Sequence, residues 1–442
     1  MEIKIKSPRG VKLLTEQKYC IENIDVVPEL QNKTVTPTDA AQTVTPDANY
    51  AGLGSVTVEP GTVTADATAK ADDIRLGKTA YGADGKMTGT IADYDGSSEP
   101  TSGKSLFAQR IDGTLAAVSA DDLEGITRID EYAFFHCNKL TNITIPEVIT
   151  SIGNEAFSSC ISLINIVIPE GVTAIGYGVF YNCNKLASIK IPNGITEIGT
   201  NTFRRCSSLA SLTLPDTLTK IGDIAFSECR SLTSITIPDS VTNIGGSAFS
   251  NCSGLASITI GNGVTSIGAN AFSNCRSLTG VYIIDLAKWC SISFEDHSAN
   301  PLYYAKRLYL DEMLITDLVI PDSVTSISIN AFYNCSSLMS VTMGNGVTNI
   351  GNDAFSNCSS LINITMGNGV TNIGANAFYL YSASTELGGT CTILATTPPT
   401  IQSSTFNAAK INKIIVPAGT SAAYKAATNW SALADKIEEA TE

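Results

Sequence analysis

The sequence predicts a mainly β repeat solenoid, and three regularities in its 442 residues indicate this fold class. One pattern of apolar positions recurs with a fixed 23-residue period, and a period of this length is typical of solenoids. Within each repeat, apolar and polar residues alternate over a few positions, as in a half-buried strand. A cluster of Gly, Pro, Asn or Asp follows each such run and favours a turn. Repeat arrays of this kind display a long surface to a partner.

A phenylalanine marks each repeat. It recurs with the 23-residue period in two blocks, which are separated by a longer step from Phe272 to Phe332. The ten positions are Phe134, Phe157, Phe180, Phe203, Phe226, Phe249, Phe272, Phe332, Phe355 and Phe378. Because the same residue at the same place in every coil must lie beside its copies in the neighbouring coils, the spacing predicts a core ladder.

A cysteine follows most of these phenylalanines at the third position after the ring. The nine cysteines are Cys137, Cys160, Cys183, Cys206, Cys229, Cys252, Cys275, Cys335 and Cys358. One cysteine per coil predicts a ladder of reduced thiols rather than a disulfide framework, since free cysteine packs as a small apolar residue. The other three, Cys20, Cys290 and Cys391, lack the spacing of a CxxC or Cys/His metal motif.

Residues 238–260, PDSVTNIGGSAFSNCSGLASITI, show one repeat in full. The run L-x-x-I-x-I at 255–260 predicts a strand that points its isoleucines inward and Ser257 and Thr259 outward. A second short strand, V-T-x-I, ends at Gly245. Glycine recurs at this place in most repeats, which predicts either a positive φ or a close approach of two backbone segments.

The repeat I-P-[DNE]-x-V-T-x-I-G-x-x-A-F-x-x-C-x-x-L-x-x-I-x-I closely resembles the BspA-like family of bacterial leucine-rich repeats. The resemblance covers about 123–389 and implies a leucine-rich repeat array of 23-residue coils, predicted over 106–389. Proteins with such repeats are typically surface-exposed binders and adhesins, so the resemblance implies binding without naming a ligand. Residues 390–442 resemble the C-terminal cap that often follows these repeats, with Tyr424, Trp430 and Ile437 as expected core contacts.

Residues 284–320 interrupt the 23-residue spacing and are rich in aromatic side chains. We expect one or two distorted coils with a bulging loop. One interpretation is that the aromatic residues pack this irregular coil, and the other is that they form a contact patch, because exposed Trp and Tyr are favoured interface anchors. The candidate receptor contacts are Trp289, Tyr303, Tyr304 and Tyr309.

The outward positions of the predicted main strands form a second candidate surface. They are nearly all small, neutral and rich in hydroxyl groups, with Lys190 as the one charge among typical rows. Strand propensity and solubility explain such a face in one interpretation. In the other, it is a broad, weak and multivalent contact surface for a glycan or a protein. The candidate contacts are Ser211, Thr213, Ser234, Thr236, Ser257 and Thr259.

Residues 1–93 form a Thr-, Val-, Gly- and Pro-rich region of short β runs. Three stretches, GVKLLT at 10–15, TVTP at 34–37 and 43–46, and GKTAY with TGT at 77–90, resemble small β modules of phage tail and tail-fibre proteins. The resemblance implies virion-attachment modules, and a flexible leader is the alternative. Residues 94–105 are polar and rich in Gly, Ser and Pro, which predicts a linker.

Composition and motifs argue against several function classes. The net charge of −14 disfavours nucleic acid or an anionic membrane as partner, and no segment is long and apolar enough for membrane insertion. No nucleotide, hydrolase or zinc-protease motif occurs, so we expect no catalytic residue, no metal site and no cofactor. The sequence thus favours a binding protein over an enzyme that degrades a surface polymer.

Two functional hypotheses follow. The first is a phage tail-associated adhesion protein that binds the bacterial host surface through its solenoid and joins other virion tail proteins through residues 1–93. The second is a bacterial cell-surface adhesin with BspA-like repeats. The N-terminus, MEIKIKSPRGVKLL, has no uninterrupted apolar run, which favours a virion protein assembled in the host cytoplasm. The expected partner is a host cell-surface glycan or protein, and a homo-oligomer such as a trimer would raise avidity.

Overall fold

The chain winds into a β-solenoid of about 13 coils of about 23 residues with little helix, which confirms the predicted fold class. The computed structural model describes residues 2–5, 31–34, 42–44, 56–58, 104–106, 117–118, 123, 125–380, 387–406 and 411–441. Each regular coil contributes one strand to a main parallel sheet and one shorter strand to a second parallel sheet. The apolar core lies between the two sheets.

The main sheet contains the L-x-x-I-x-I strands. Neighbouring strands pair in register at equivalent positions of consecutive coils, as Ile235 pairs with Ile258. They are grouped into ladders of five, five and six strands. In chain order the strands are Ala117–Val118, Asn142–Thr144, Asn165–Val167, Ser188–Lys190, Ser211–Thr213, Ser234–Thr236, Ser257–Thr259, Gly280–Ile283, Leu308–Leu310, Met313–Leu314, Asp317–Ile320, Ser340–Met343, Asn363–Met366, Leu387–Ile393, Ile411–Val416 and Ile437–Glu439.

The second sheet contains the V-T-x-I strands, in ladders of four, five and four strands. In chain order they are Lys104–Leu106, Ile126–Ile129, Ser151–Ile152, Ala174–Ile175, Glu197–Ile198, Lys220–Ile221, Asn243–Ile244, Ser266–Ile267, Ser293–Phe294, Ser326–Ile327, Asn349–Ile350, Asn372–Ile373 and Thr400–Ile401. Threonine hydroxyls connect its coils, since Thr242 Oγ1 donates to the Thr219 carbonyl at 3.3 Å.

The predicted phenylalanine ladder is confirmed. The rings stack nearly parallel with centroids 4.9–5.7 Å apart, and all ten are at most 1% exposed. The backbone also bonds from coil to coil at this place: Phe226 N donates to the Ala248 carbonyl at 2.7 Å. Each coil therefore buries its phenylalanine only because a neighbouring coil covers it.

The predicted thiol ladder is also confirmed for the described cysteines, all of which are free and buried. Thiols of the regular coils donate hydrogen bonds to backbone carbonyls of the preceding coil. Cys252 Sγ, for example, donates to the Phe226 carbonyl at 3.0 Å. Burial raises the pKa of Cys206 and Cys275 to about 12, so both stay protonated at neutral pH. Cys20 lies outside the described residues.

The recurrent glycine is required by a close backbone approach and not by a positive φ. A Cβ atom on Gly245 would lie 2.5 Å from the Asp223 amide nitrogen of the preceding coil. Positive φ occurs instead at non-glycine positions of the same coil, with φ values of 53° at Ser247 and 61° at Asn251. The frequent asparagine before the ladder cysteine fits this backbone, because asparagine tolerates the left-handed region.

The irregular segment is one distorted coil, within the predicted one or two, and a hairpin follows it where a bulging loop was expected. It contains an α-helix, Leu286–Ser291, a 3₁₀ helix, His297–Ala299, and a four-residue helix, Leu302–Ala305. The strand Met313–Leu314 then turns back antiparallel to Leu308–Leu310. The main sheet is interrupted at this point.

The C-terminal region continues the solenoid beyond its predicted end at 389. Leu387–Ile393, Ile411–Val416 and Ile437–Glu439 extend the main sheet, and Phe406 stacks on Phe378 at 5.5 Å. The α-helix Ser421–Ala426 and the 3₁₀ helix Trp430–Lys436 cover this end. The expected core contacts are confirmed, because Tyr424, Trp430 and Ile437 are all buried.

Two antiparallel strand pairs are described before the solenoid. Glu2–Ile5 pairs with Gln31–Thr34, and Gln42–Val44 pairs with Val56–Val58. The other residues of the predicted modules and most of the predicted linker lie outside the described residues. The strand Lys104–Leu106 pairs with the second sheet, so the solenoid begins slightly before the predicted boundary at 106.

Replacing Phe249 with alanine is expected to lower the free energy of unfolding by about 3–5 kcal/mol, because the ring is fully buried between two stacked neighbours. Urea denaturation followed by circular dichroism measures the change. Ile362→Ala is the control, since Ile362 is 46% exposed. Equal stability of Phe249→Ala and wild type would show that the ladder ring is not part of the core.

Replacing Gly245 with alanine is expected to lower the free energy of unfolding by about 1–3 kcal/mol, because the new methyl group must displace backbone of the preceding coil. The adjacent Gly246→Ala is the matched control. Its Cβ would have ordinary contact distances of 3.5 Å or more, so stability should change by less than about 1 kcal/mol. Equal effects of the two substitutions in the same denaturation assay would contradict the close approach.

Candidate functional site

The outward side chains of the main sheet form a face in which two columns run from coil to coil, and we call it the outer face. Its first column contains Ser234, Ser257 and Gly280, and its second contains Thr236, Thr259, Tyr282, Tyr309 and Leu314. Register fixes this order, because residues that pair across parallel strands point to the same side of the sheet.

The structure places all six predicted serine and threonine contacts on this face. Their side chains alternate with inward leucine and isoleucine, as the period of two requires. Four are exposed, and Ser257 and Thr259 are half-buried. Their outward orientation is therefore confirmed, and their contact with a receptor stays a prediction.

The hydroxyl groups of the two sheets differ in their hydrogen bonds. In the second sheet, Thr219 Oγ1 donates to the Thr196 carbonyl at 2.9 Å, and Thr265 Oγ1 donates to the Thr242 carbonyl at 3.0 Å. Within the described part of the chain, no protein hydrogen bond engages the six hydroxyls of the outer face. They are therefore available to a ligand without breaking an internal bond.

Two tyrosines interrupt the second column. The Tyr282 and Tyr309 rings stack with centroids 4.6 Å apart and planes 14° from parallel, and both are half-buried. A Cβ atom on Gly280 would lie 3.0 Å from Tyr282 Cε2 and 3.1 Å from Tyr309 Cε2, so the rings lean over this glycine. Tyr309 was predicted as a contact, whereas Tyr282 was missed although it replaces the usual threonine of its row.

The predicted receptor contact through Trp289 is wrong, because this side chain is 1% exposed. Its indole Nε1 donates to the Ala331 carbonyl at 3.0 Å. In regular coils the corresponding alanine carbonyl accepts a bond from the phenylalanine amide of the preceding coil. Asn300 Nδ2 donates to the same carbonyl at 3.1 Å. Trp289 thus connects the irregular coil to the next one, which is the packing interpretation.

Tyr303 and Tyr304 do not join Tyr309 in one patch. The Tyr303 ring stacks on Tyr333 with centroids 5.8 Å apart and meets Tyr304 edge-on at 4.8 Å. The Tyr304 hydroxyl accepts a bond from the Asn274 amide at 3.0 Å. Both tyrosines are half-buried and hold the helix Leu302–Ala305 against neighbouring coils.

The charged residues near His297 serve as backbone caps. Asp296 Oδ1 accepts a bond from the Ala299 amide at 2.7 Å, and Glu295 Oε2 accepts one from the Ala269 amide of the preceding coil at 2.8 Å. Among the described residues, no group of three or more His, Cys, Asp or Glu side chains lies close enough to hold a metal ion. Within the same residues, no helix is long and apolar enough to cross a membrane.

A family model described as the BspA type leucine rich repeat region matches six copies over residues 115–211, 173–300 and 306–432. These ranges include more than half of the chain. The protein therefore belongs to the BspA-type leucine-rich repeat family, as the repeat pattern predicted. Comparison with curated proteins gives no match.

Two solved structures illustrate the similarity. A leucine-rich repeat protein from Bacteroides ovatus ATCC 8483 shares 25% identity with a TM-score of 0.41, covering 74% of this chain and 84% of that chain. A leucine rich cell surface protein from Faecalibacterium prausnitzii A2-165 shares 25% identity with a TM-score of 0.35, and the match covers 74% of this chain and 79% of that chain. The phage-tail resemblance of residues 1–93 receives no support from these comparisons.

Replacing Trp289 with phenylalanine is expected to lower the free energy of unfolding by about 1–3 kcal/mol, because the indole N–H bond to the Ala331 carbonyl is lost. Urea denaturation measures the loss, and a cell-binding assay of the same protein should show no change. Weaker binding without a loss of stability would instead support a direct contact through Trp289.

Proposed function

We propose that this BspA-type leucine-rich repeat protein is a non-enzymatic surface adhesin that binds a cell-surface glycan or protein through its outer face. The supporting observation is the contrast between the two sheets. Threonine hydroxyls of the second sheet such as those of Thr219 and Thr265 bond to the preceding coil, whereas the six predicted hydroxyls of the outer face have no protein partner among the described residues. A repeated row of free donors and acceptors suits a repeated ligand.

The near-neutral charge of the outer face supports the same proposal. Lys190 is its one charged side chain in the six coils before Tyr282, and its Nζ lies 2.6 Å from Glu170 Oε1. A partner with a strong charge of either sign therefore gains little electrostatic attraction here. A face of this kind is suited to many weak polar contacts, and multivalent attachment raises the avidity of such contacts.

We propose the bacterial cell surface as the site of action. The family membership of the solenoid supports this choice, because proteins with such repeats are typically surface-exposed binders. Placement in a phage tail, with tail proteins as partners, stays a prediction that depends on residues 1–93. Oligomerisation, including a trimer, also stays a prediction. Immunogold labelling of whole bacteria and of purified virions from one culture distinguishes the two locations.

The test of the proposed function is a double substitution on the outer face, Thr236→Glu with Ser257→Glu. These residues lie diagonally on neighbouring strands, and two carboxylates should replace neutral hydroxyls without touching the core. We expect binding of the labelled full chain to target cells to weaken by about tenfold or more, which corresponds to about 1.4 kcal/mol. Flow cytometry over a concentration series measures the apparent Kd.

The matched control is Thr173→Glu with Thr196→Glu on the second sheet. Both threonines are exposed, and neither side chain makes a hydrogen bond in the described structure. Circular dichroism should show that both double variants keep the wild-type fold. Equal binding of the outer-face variant and the control would refute a contact through the outer face.

A further inference from the structure

The hydroxyl columns of the outer face end at the stacked side chains of Tyr282 and Tyr309, which we call the aromatic wall. Thr259 pairs with Tyr282, and Tyr282 pairs with Tyr309, so a threonine column becomes a tyrosine column within one step of the sheet. Neighbouring strands lie about 4.8 Å apart. The first tyrosine ring therefore rises beside the much shorter Thr259 side chain.

The geometry leaves one side of the Tyr282 ring turned toward the hydroxyl rows. Tyr309 covers its other side by stacking at 4.6 Å. The stack leans over Gly280, where a side chain would crowd both rings, since a Cβ atom would lie 3.0 Å and 3.1 Å from them. Glycine at this position therefore permits the lean, and the stack limits the rotation of Tyr282.

An aromatic wall beside the free hydroxyls of Ser257 and Thr259 fits one chemical class of ligand better than others. A neutral sugar has an apolar C–H side that packs on an aromatic ring and hydroxyl groups that exchange hydrogen bonds with Ser257 and Thr259. Binding sites of this kind combine aromatic surface with a few placed polar groups. Exposed charges of both signs flank the strand of Tyr309, with Lys306 and Arg307 before it and Asp311 and Glu312 after it, so neither sign predominates.

We propose that Tyr282 and Tyr309, together with Ser257 and Thr259, bind a neutral glycan chain, with one sugar ring packed against Tyr282. The proposal rests on the proposed function and names its ligand class and its anchoring site. The hydroxyl columns would hold further sugars of the same chain over the preceding coils. The aromatic pair would supply most of the affinity, as tyrosine anchors commonly do at interfaces.

A protein partner is the competing occupant, because Met313 and Leu314 beside the stack are 74% and 42% exposed. We favour the glycan for two reasons. The hydroxyl rows lead directly to the tyrosine wall in the same columns, and from Lys190 to Thr259 those columns contain no exposed apolar side chain. The experiment below distinguishes the two occupants.

The test uses the full chain and a panel of immobilised neutral hexasaccharides of glucose, mannose and N-acetylglucosamine, with polygalacturonate as the anionic comparison. We expect at least one neutral hexasaccharide to bind. Tyr282→Ala should weaken that binding by about tenfold or more, whereas Tyr282→Phe, which keeps the ring, should stay within about threefold. Tyr177→Ala is the matched control, since Tyr177 is 43% exposed and lies outside the outer face.

Three results would overturn the proposal. They are the absence of binding to every neutral hexasaccharide, equal binding by Tyr282→Ala and wild type, and a preference for polygalacturonate. Protease treatment of target cells adds a fourth, because loss of wild-type cell binding after that treatment identifies a protein partner. Any of these results leaves the proposed adhesion role in place if the double substitution Thr236→Glu with Ser257→Glu still weakens cell binding.

Discussion

Hydrogen bonding between consecutive coils is the constraint on which the rest of the structure depends. A coil of about 23 residues cannot bury its own apolar side chains, so each backbone group at the coil boundary must find its partner in the next coil. Gly245 N donates to the Ile221 carbonyl at 2.8 Å, and Phe226 N donates to the Ala248 carbonyl at 2.7 Å. These bonds fix both the coil length and the residue type at the places where coils touch.

The same constraint explains the irregular segment. After Phe272 the chain leaves the 23-residue spacing, yet the next regular coil still needs donors and acceptors on its exposed side. The Cys290 carbonyl, at the end of a short helix, accepts the Ser328 amide at 2.9 Å in place of a second-sheet strand. Trp289 and Asn300 side chains donate to the Ala331 carbonyl in place of a phenylalanine amide. Side chains and a helix end thus replace one missing coil boundary.

Sequence patterns predicted the fold where a residue repeats and failed where a different residue takes the same role. The phenylalanine and cysteine ladders were predictable because nearly every coil contains a copy. The continuation to Phe406 was not, since the step from Phe378 is longer than the repeat and Trp430 then takes the place of a phenylalanine. The sequence left packing and receptor contact open for Trp289, because its hydrogen-bond acceptor, the Ala331 carbonyl, is distant in the sequence. The outward residues of the main strands were predictable from the alternation of apolar and polar positions. The contact between Tyr282 and Tyr309 was not, because it depends on the register between coils.

The candidate site consists of side chains that the stacking of the coils does not constrain. Coil boundaries and the core fix the inward residues and the second-sheet threonines, whereas the outward residues of the main sheet are under no such constraint. At a break in the repeat, the residue type in the second column of the outer face can also change from threonine to tyrosine. The coils on the two sides of the break no longer need identical neighbours. Tyr282 and Tyr309 lie at that break, beside Gly280 and a hairpin that regular coils lack. Specific recognition is therefore best placed at the interruption, with the regular coils before it adding repeated weak contacts along one ligand.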